Sequence, residues 1–576
     1  MENSDFAGIF RRMGEFLELR EDNPFKIRAY EKAAANIESL SEPLESVYRK
    51  GGIPALREIP GIGEAIAEKI EELIKTGRLK AYRKLEKEFP KKFIELMSVP
   101  GLGPKTAIML KKKLKIDSVA KLESAAKKGL LKGLPGMKEK KIENIKKGIE
   151  QHKRHISRAL LPVAFEHAFA LVNYLKKLKG VEEAVPAGSL RRLQETIGDI
   201  DILVISEEPE SAIEGFVKYP EVDRVLARGE TKSSVVLADG IQVDLRVLGR
   251  SDFGAALHYF TGNKAHNIEI RQLAQDKGMK VSEYGIFKGK KRVGGEKEED
   301  IFSLLGLDYI EPELRQGQGE IEAAKTGKLP KLIEIKDIRG DLHVHTNASD
   351  GSNTIEEMAE AAKKLGYEYI AITDHTVSSR IASGLTEKEL LANIKKVDAA
   401  NKRVKGIKIL KGAEVDIRPD GKMDYPDGIL KQLDVVIAAV HSKFTMNKKE
   451  MTDRIISAIE NKYVNILAHP TGRLLGSRDP YELDMEKVLK AAQGTGTFIE
   501  LNAHPVRLDL FDIYCREAAK MGILIAINTD SHTTMQFGNI KWGIAAARRG
   551  WLEKKNVLNA LPVDKLLKKL RQKRGK

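Results

Sequence analysis

Three aspartates interrupt apolar stretches whose alternating pattern predicts β-strands. Asp199 directly precedes one stretch, 200–205, which contains Asp201, and Asp244 lies in the middle of another, 241–248. Because strand side chains alternate, Asp199 and Asp201 share one face, about 6–7 Å apart along the chain. Buried carboxylates without a partner are costly, so three of them require cations. The pattern predicts in-line phosphoryl transfer at two Mg²⁺ or Mn²⁺ ions.

A glycine-serine-arginine block lies upstream of this aspartate pair. It spans residues 188–192 with the sequence GSLRR. One D-x-D pair alone is weak evidence of a site. The block, the pair and a distant strand aspartate together form a specific constellation, which favours catalysis over a polar strand edge.

This constellation resembles the nucleotidyltransferase superfamily, and within it the family X DNA polymerases, repair enzymes similar to polymerase beta. The segment 259–263, YFTGN, resembles that family's contact region for the nucleotide sugar. Without the resemblance, such an aromatic pair is more often part of a core. The nucleotide-binding residues that the resemblance implies are Gly188, Ser189 and Arg192 at the triphosphate, Tyr259, Phe260 and Gly262 at the sugar, and Asn267 and Arg271 at the nascent base pair or template.

Two polar residues flank Asp244 on the same face of its predicted strand. Arg246 is expected to orient the Asp244 carboxylate. Gln242 stands where the best-known animal members of the family carry an arginine, so we expect the primer end to be positioned differently here.

Residues 1–155 have apolar positions at helical spacing and three similar loops, at 59–63, 99–103 and 134–138. Each loop follows one predicted helix and opens another, as in a helix-hairpin-helix repeat. Glycines there let the backbone approach a phosphate, and the next helix directs its N-terminal amides toward it. The third loop has Lys138 in place of the second glycine and is expected to be structural. The predicted residues for sequence-independent DNA binding are Gly61, Gly63, Gly101, Gly103 and Lys105.

Lys69 lies two turns into the helix predicted after the first hairpin. Neighbouring positive charge makes an amine a better Schiff-base nucleophile. The segment resembles the lyase domain of the same polymerase family, in which the matching lysine attacks the aldehyde of an incised abasic site. The resemblance also implies that Lys26 and Tyr30 lie on the 5′-phosphate side. The alternative is that Lys69 only binds DNA.

Metal-capable side chains recur from residue 338 onward, where alternating strands and amphipathic helices predict a parallel βα array. Nearly every predicted strand there ends in such a residue, which is where barrel and α/β sites lie. The set is His343, His345, Asp350, His375, Glu414, His441, His469, Asp530 and His532. So many nitrogen and oxygen ligands suit two or three Zn²⁺, Mn²⁺ or Fe²⁺ ions.

These positions resemble the motifs of the PHP (polymerase and histidinol phosphatase) domain. The resemblance implies three sites: His343, His345, Glu414 and Asp530 in the first, Glu414 with His441 and His469 in the second, and Asp350, His375 and His532 in the third. His504 is outside the pattern and is expected not to be a ligand. Because every ligand type is present, we expect an active phosphoesterase that generates hydroxide near neutral pH.

The whole chain therefore resembles the bacterial and archaeal PolX family. The expected fold is multidomain α and α/β, with helical helix-hairpin-helix domains, a nucleotidyltransferase-type palm and thumb, and a distorted (β/α)7 PHP barrel. The expected domains are 1–80, 81–155, 156–248, 249–315, a polar linker at 316–337, and 338–576.

The expected function is a repair polymerase that fills short gaps, joined to a 3′-5′ exonuclease, with gapped or nicked double-stranded DNA and deoxynucleoside triphosphates as partners. A DNA partner agrees with a net charge of +16, from 99 Lys and Arg against 83 Asp and Glu. Two alternatives stay open: a small-molecule nucleotidyltransferase fused to a metabolite phosphatase, and a non-catalytic DNA-binding scaffold.

Composition excludes other classes. The single cysteine, Cys515, excludes a disulfide framework and a cysteine-ligated zinc site. No apolar run approaches the roughly 20 residues of a membrane span, and the amphipathic N-terminus does not resemble a signal peptide. A cytoplasmic monomer is expected.

Overall fold

The computed structural model describes residues 3–20, 22–38, 44–59, 61–89, 93, 96, 99, 102–156 and 158–573. They divide into two compact units. One holds residues 1–156, and the other holds 157–576 apart from the short stretches 476–478 and 533–535. No helix in the described ranges is long and apolar enough to cross a membrane.

The first unit consists of amphipathic helices around a core of its own. The described helices are α1 (Asn3–Leu19), α2 (Pro24–Glu38), α3 (Leu44–Arg57), α4 (Glu64–Thr76), α5 (Lys80–Glu88), α6 (Pro104–Leu114), α7 (Val119–Lys127) and α8 (Glu139–Ile156). Among the described residues, the buried apolar side chains of this core lie between Phe6 and Ile149, with Phe10, Phe16 and Phe93 among the largest.

Two loops of the predicted repeat open their helices with an extended glycine at the N-cap. In the first loop Gly61 has φ +79° and Gly63 caps α4. A Cβ on Gly61 would lie 3.0 Å from two side chains of α2, so a side chain there is strained. Gly103 caps α6 in the same way, whereas Gly101 lies outside the described residues. The helix-hairpin-helix architecture is confirmed.

The second unit begins with a five-stranded sheet. Its elements are β1 (Ala159–Leu160), α9 (Leu161–Leu175), β2 (Val181–Pro186), α10 (Gly188–Arg191), β3 (Thr196–Ile197), β4 (Asp199–Ser206), α11 (Pro209–Val217), β5 (Val222–Arg228), β6 (Lys232–Leu237) and β7 (Gln242–Leu248). The strand order is β2-β4-β7-β6-β5. Strands β4 and β7 pair in parallel, and the other neighbours in this sheet are antiparallel. The two strands with the aspartates are therefore adjacent.

We call this five-stranded sheet with its helices the palm. A small helical domain with a three-stranded sheet follows it. Its elements are α12 (Phe253–Thr261), α13 (Lys264–Asp276), β8 (Lys280–Ser282), β9 (Gly285–Lys288), β10 (Lys291–Gly294) and α14 (Glu299–Leu304). Glu298 ties this domain to α10, because it accepts hydrogen bonds from Arg191 at 2.6 and 2.7 Å and from Arg315 at 2.6 Å. Burial alone raises the pKa of Glu298, but these arginines outweigh it and hold the pKa well below its usual value.

Segment 316–337 differs from the polar linker that we expected. It contains a short helix, α15 (Glu320–Lys325), and buries Ile321 and Leu332 in the core of the preceding domain. The next residue, Ile333, belongs to the barrel core. The few apolar residues of this segment are separated by glycines and charged residues, so its composition does not indicate that it packs against the rest of the chain.

The rest of the chain forms a parallel barrel of seven strands in sequence order. Its elements are β11 (Gly340–Val344), α16 (Ile355–Lys364), β12 (Tyr369–Ile372), α17 (Glu387–Arg403), β13 (Lys408–Asp416), α18 (Asp427–Leu430), β14 (Val435–Ala439), α19 (Lys448–Glu460), β15 (Ile466–Leu467), α20 (Met485–Thr495), β16 (Phe498–Asn502), α21 (Asp512–Lys520), β17 (Ile525–Asn528), α22 (Ile540–Arg549) and α23 (Val563–Gln572). A parallel bridge between Val344 and Ser531 brings the first and last strands together and nearly closes the barrel. The predicted (β/α)7 fold is confirmed.

Candidate active sites in the palm and the barrel

The parallel pairing of β4 with β7 brings the three palm aspartates together. Asp201 lies opposite Asp244, and Asp199 lies opposite Gln242. Burial raises the pKa of Asp201 to about 7, and the negative charges of Asp199 and Asp244 add to this rise. A divalent cation would relieve the repulsion, so the donor set fits Mg²⁺ or a similar ion.

Gly188 lies directly against one of these carboxylates. It has φ +61°, and a Cβ built on it would be 2.1 Å from Asp201 Oδ2. Ala187 N, the amide before it, donates to the Asp201 carbonyl at 2.8 Å. The glycine-serine block is therefore held above the aspartates, and position 188 excludes any side chain.

The residue that orients Asp244 is Gln242, and not Arg246 as we expected. Gln242 Nε2 donates to both Asp244 oxygens, at 3.1 and 3.2 Å. The Arg246 guanidinium instead stacks over the Phe260 ring, 4.3 Å from its centre. Phe260 lies far from Arg246 along the chain, so no local pattern indicates their contact. The spacing along β7 alone therefore led us to expect Arg246, and not Gln242, to orient Asp244.

A cleft of about 600 Å³ opens in front of the aspartates. It is lined by Arg158, Gly188, Ser189, Arg192, Gln194, Asp199, Asp201, Tyr259, Phe260, Gly262, Asn263, Lys264, Asn267 and Arg271. Every predicted nucleotide-binding residue lines this cleft. Asn263, which belongs to the expected contact segment 259–263, lines it too, and three further lining residues were not expected from the sequence: Arg158, Gln194 and Lys264.

Polar contacts hold the walls of the cleft. Arg192 donates to the Thr261 carbonyl, and burial lowers the pKa of Arg192 to about 10. Asn267 Nδ2 donates to the Tyr259 carbonyl at 2.7 Å, and Arg271 Nε to the Asn267 carbonyl at 3.2 Å. The cleft thus presents cationic and amide groups opposite an acidic floor, a combination that suits a polyphosphate bound through metal ions.

Glu414 is the centre of a second cluster, at the carboxyl ends of the barrel strands. Its Oε1 lies 2.9 Å from His469 Nε2 and 3.2 Å from His441 Nε2. Its Oε2 lies 2.9 Å from His375 Nδ1 and 3.4 Å from His343 Nε2. Burial alone raises the pKa of Glu414, but the imidazoles, His375 first, outweigh it and hold the pKa well below its usual value. One carboxylate thus faces imidazoles on both oxygens, the geometry of a bridging ligand.

Three groups in the described residues place potential ligand atoms within 4.8 Å of one another. They are His345, Asp350, His375 and His532; His343, His345 and Asp530; and His375, Glu414 and His441. His345 and His375 each belong to two groups, whereas the sequence analysis gave each one site. Neither His504 nor His469, which was expected to be a ligand of the second site, is in any of the three groups.

Imidazole nitrogens without a well-directed hydrogen bond show that this cluster fits metal ions. His343 Nε2, both ring nitrogens of His345 and His375 Nδ1 are buried and make no such bond among the described residues, although carboxylate oxygens lie 3.4 Å from His343 Nε2, 3.2 Å from His345 Nε2 and 2.9 Å from His375 Nδ1. Buried polar atoms are rarely left so. The donor set of nitrogen and carboxylate oxygen is that of Zn²⁺ or Mn²⁺, and a cavity of about 580 Å³ opens onto it.

Two carboxylates behind the cluster were missed from the sequence. Glu500, fully buried, accepts from His343 Nδ1 at 2.7 Å and from the His469 amide at 2.8 Å. Asp416 accepts from His441 Nδ1. Such contacts fix the tautomer and aim the other ring nitrogen at a metal. Asp416 lies two residues after Glu414 at the end of β13, and Glu500 is a buried acid in the otherwise largely apolar strand β16, and these positions were the available signals.

The predicted lyase residues lie in the first unit. Lys69 Nζ donates to the Ala65 carbonyl at 2.7 Å, one turn back on α4. Lys26 is exposed and pairs with Asp22 at 3.1 Å. Tyr30 is only 5% exposed and stacks on Phe10, so most of its ring is core rather than surface. The Lys105 side chain lies outside the described residues.

Four families match the sequence. They are a helix-hairpin-helix domain over residues 1–79, a SAM-like helix-hairpin-helix tandem over 93–151, the DNA polymerase beta thumb over 256–316 and the PHP domain over 341–504.

Similar whole proteins include one that matches almost end to end. The chain is 37% identical over 567 residues to the DNA polymerase/3′-5′ exonuclease PolX of Bacillus subtilis, covering 97% of this chain and 98% of that one. It is 33% identical over 247 residues to a probable phosphatase of Thermoanaerobacter sp., covering 41% of this chain and 96% of that one. A probable phosphatase of Caldanaerobacter subterraneus is 32% identical over 245 residues, with 41% and 91% covered.

Glu414→Ala should release bound metal from the barrel. Removing a bridge loosens the ions on both sides of it, and even changes behind the ligands cost about 10- to 100-fold in metal affinity. We therefore expect a loss of at least about 100-fold in affinity. Elemental analysis of the purified, folded protein measures this, with His504→Ala as the control that keeps its metal. Full metal content in Glu414→Ala would contradict the bridging assignment.

Proposed function

The chain belongs to the PolX family, the family X DNA polymerases that carry a PHP domain, and on this basis we propose that it fills short gaps in DNA and trims 3′ ends. The polymerase and 3′-5′ exonuclease activities follow from family membership. The observation that carries their assignment to this chain's residues is the opposition of Asp201 and Asp244 on paired parallel strands beneath the Gly188 turn.

The palm cleft is the proposed site of nucleotidyl transfer. Asp199, Asp201 and Asp244 would hold two Mg²⁺ or Mn²⁺ ions, which when bound stabilise the charge on the transferred phosphoryl group. Gln242 keeps the Asp244 carboxylate aimed at the same face as Asp201. The donors proposed for the incoming nucleotide are Gly188, Ser189 and Arg192 at the triphosphate, Tyr259, Phe260 and Gly262 at the sugar, and Asn267 and Arg271 at the base pair or template.

The barrel cluster is the proposed site of 3′-end cleavage. Its ligands would be His343, His345, Asp350, His375, Glu414, His441, His469, Asp530 and His532, holding two to three Mn²⁺ or Zn²⁺ ions. Such ions, when bound, supply hydroxide near neutral pH. Glu500 and Asp416 hold their imidazole partners in one tautomer, and the cavity in front of the cluster admits a nucleotide end.

We propose that the first unit binds gapped or nicked duplex DNA. Gly61, Gly63, Gly101, Gly103 and Lys105 would contact the phosphate backbone, because glycine-capped helix starts present free amides to an anion. We propose further that the enzyme acts in the cytoplasm and as a monomer.

Two other functions are weaker. The two glycine-capped hairpins serve no purpose in a small-molecule nucleotidyltransferase. The acidic triad and the buried cluster of imidazoles and carboxylates serve none in a non-catalytic scaffold. Extension of a primer across a one-nucleotide gap, with and without Mn²⁺, separates all three.

Asp244→Ala should abolish gap filling and leave exonuclease activity intact, because the two carboxylate sets lie in different domains. We expect a loss of about three orders of magnitude, since metal stabilisation is worth several kcal/mol and 1.36 kcal/mol is tenfold. Gel assays of extension and 3′ degradation measure both. Asp223→Ala, exposed on the same sheet, is the control. Loss of both activities in folded Asp244→Ala would refute the two-site assignment.

A fragment of residues 1–156 should bind gapped DNA without sequence preference. If its hairpins neutralise about four phosphates, affinity should fall about 100-fold between 50 and 200 mM salt, at a slope of about −0.9 per phosphate. Fluorescence anisotropy on two unrelated sequences measures this. Binding that is insensitive to salt, or confined to one sequence, would count against the hairpin assignment.

Borohydride should trap the enzyme on incised abasic DNA through Lys69. Lys69→Arg keeps the positive charge but removes the primary amine, so it should lose the trapped species and keep DNA binding. Lys75→Ala, on the same helix, should trap normally. If Lys69→Arg traps as well as the unchanged enzyme, another amine is the nucleophile.

A further inference from the structure

Two arginines of the barrel hold a carboxylate of the palm. Glu195 lies between α10 and β4, shortly after Arg192. Arg473 donates to both Glu195 oxygens, at 2.9 and 2.6 Å, and Arg549 Nη2 lies 3.5 Å from one of them. The arginine side chains are 3% and 0% exposed. We call Glu195, Arg473 and Arg549 the clasp.

The clasp also supports the backbone of the turn that carries the glycine-serine block. Arg549 donates to the carbonyl of Leu193. Leu193 has φ +50°, in the left-handed region that residues other than glycine rarely adopt. The same turn is closed by a bond from Gln194 N to Ser189 O at 3.1 Å. A barrel arginine therefore stabilises the strained point of the segment that holds Ser189 and Arg192.

The palm and the barrel share one apolar core where they meet. Leu508, Trp542 and Ala545 of the barrel are buried in the same core as the palm strands. The Trp542 ring meets Phe165 of α9 edge-on, with 5.4 Å between ring centres. Close-packed interiors have low compressibility and transmit displacement, so the barrel surface sets the position of the turn.

We propose that Arg473 and Arg549 are positioning residues for nucleotide binding in the palm, so that the phosphoesterase domain forms part of the support of the polymerase pocket. This inference rests on the proposed polymerase function. The arginines do not line the cleft. Glu195 offsets the buried charge of Arg473, and Glu195 and Asp512 together offset that of Arg549, whose Nε lies 3.1 Å from Asp512 Oδ2. Without Glu195 both arginines would be buried with less compensation, and the turn would be held less firmly.

Glu195→Gln in the full-length enzyme tests this, because it keeps the side-chain size and removes the charge. A misplaced binding segment costs about 10- to 100-fold, so we expect KM for the dNTP in one-nucleotide gap filling to rise by that factor, with a smaller change in kcat. Exonuclease activity should be unchanged. Glu166→Gln, exposed on α9, is the control and should keep the original KM. An unchanged KM in folded Glu195→Gln would overturn the proposal.

A double-mutant cycle distinguishes the loss of the clasp from general destabilisation of the protein. Arg473→Gln should raise KM in the same direction, and the double variant should raise it no further than the larger single change. Additive effects would overturn the clasp. Equilibrium binding of a labelled dNTP to each variant gives the same comparison without catalysis. If the unchanged enzyme fills no gap, the proposed function fails while the binding measurement still decides the clasp.

Discussion

The parallel pairing of β4 with β7 is the constraint on which the palm depends. Every other neighbour in that sheet is antiparallel, and only this register sets Asp201 opposite Asp244. Burial in this sheet, together with the negative charges of Asp199 and Asp244, raises the pKa of Asp201. The register also determines which residue can lie above these carboxylates, because Gly188 approaches Asp201 so closely that no side chain fits there. The glycine-serine turn, the cation requirement and the shape of the cleft all follow from one strand register.

The barrel cluster differs from the palm in the charges that it brings together. There a single carboxylate, Glu414, gathers imidazoles on both of its oxygens, and neighbouring acids complete the cluster. Parallel strands end at one rim, so residues far apart in sequence meet without a long loop. Glu500 and Asp416 stand behind two of these imidazoles, those of His343 and His441, and orient them through hydrogen bonds.

The features that were predicted from the sequence have local signals. Alternation identified the aspartate strands, glycine pairs identified the hairpins, and strand-end histidines identified the barrel. The features that were missed depend on distant partners. Arg246 stacks on Phe260 rather than orienting Asp244, and Arg473 meets a glutamate 278 residues earlier in the chain. Segment 316–337 packs through a few apolar residues in a polar composition. No spacing rule reports contacts of this kind.

The joint between palm and barrel has a consequence for synthesis on the ribosome. The palm strands emerge early, but Trp542 and Arg549, which complete their core and turn, emerge about 350 residues later. At about 5–20 residues per second this is a delay of roughly 20–70 s. During that interval the nascent palm presents an uncovered apolar face and an unanchored Leu193, while the first unit, which has its own core, is free to fold. The order of translation therefore completes the helical first unit first and the palm cleft last.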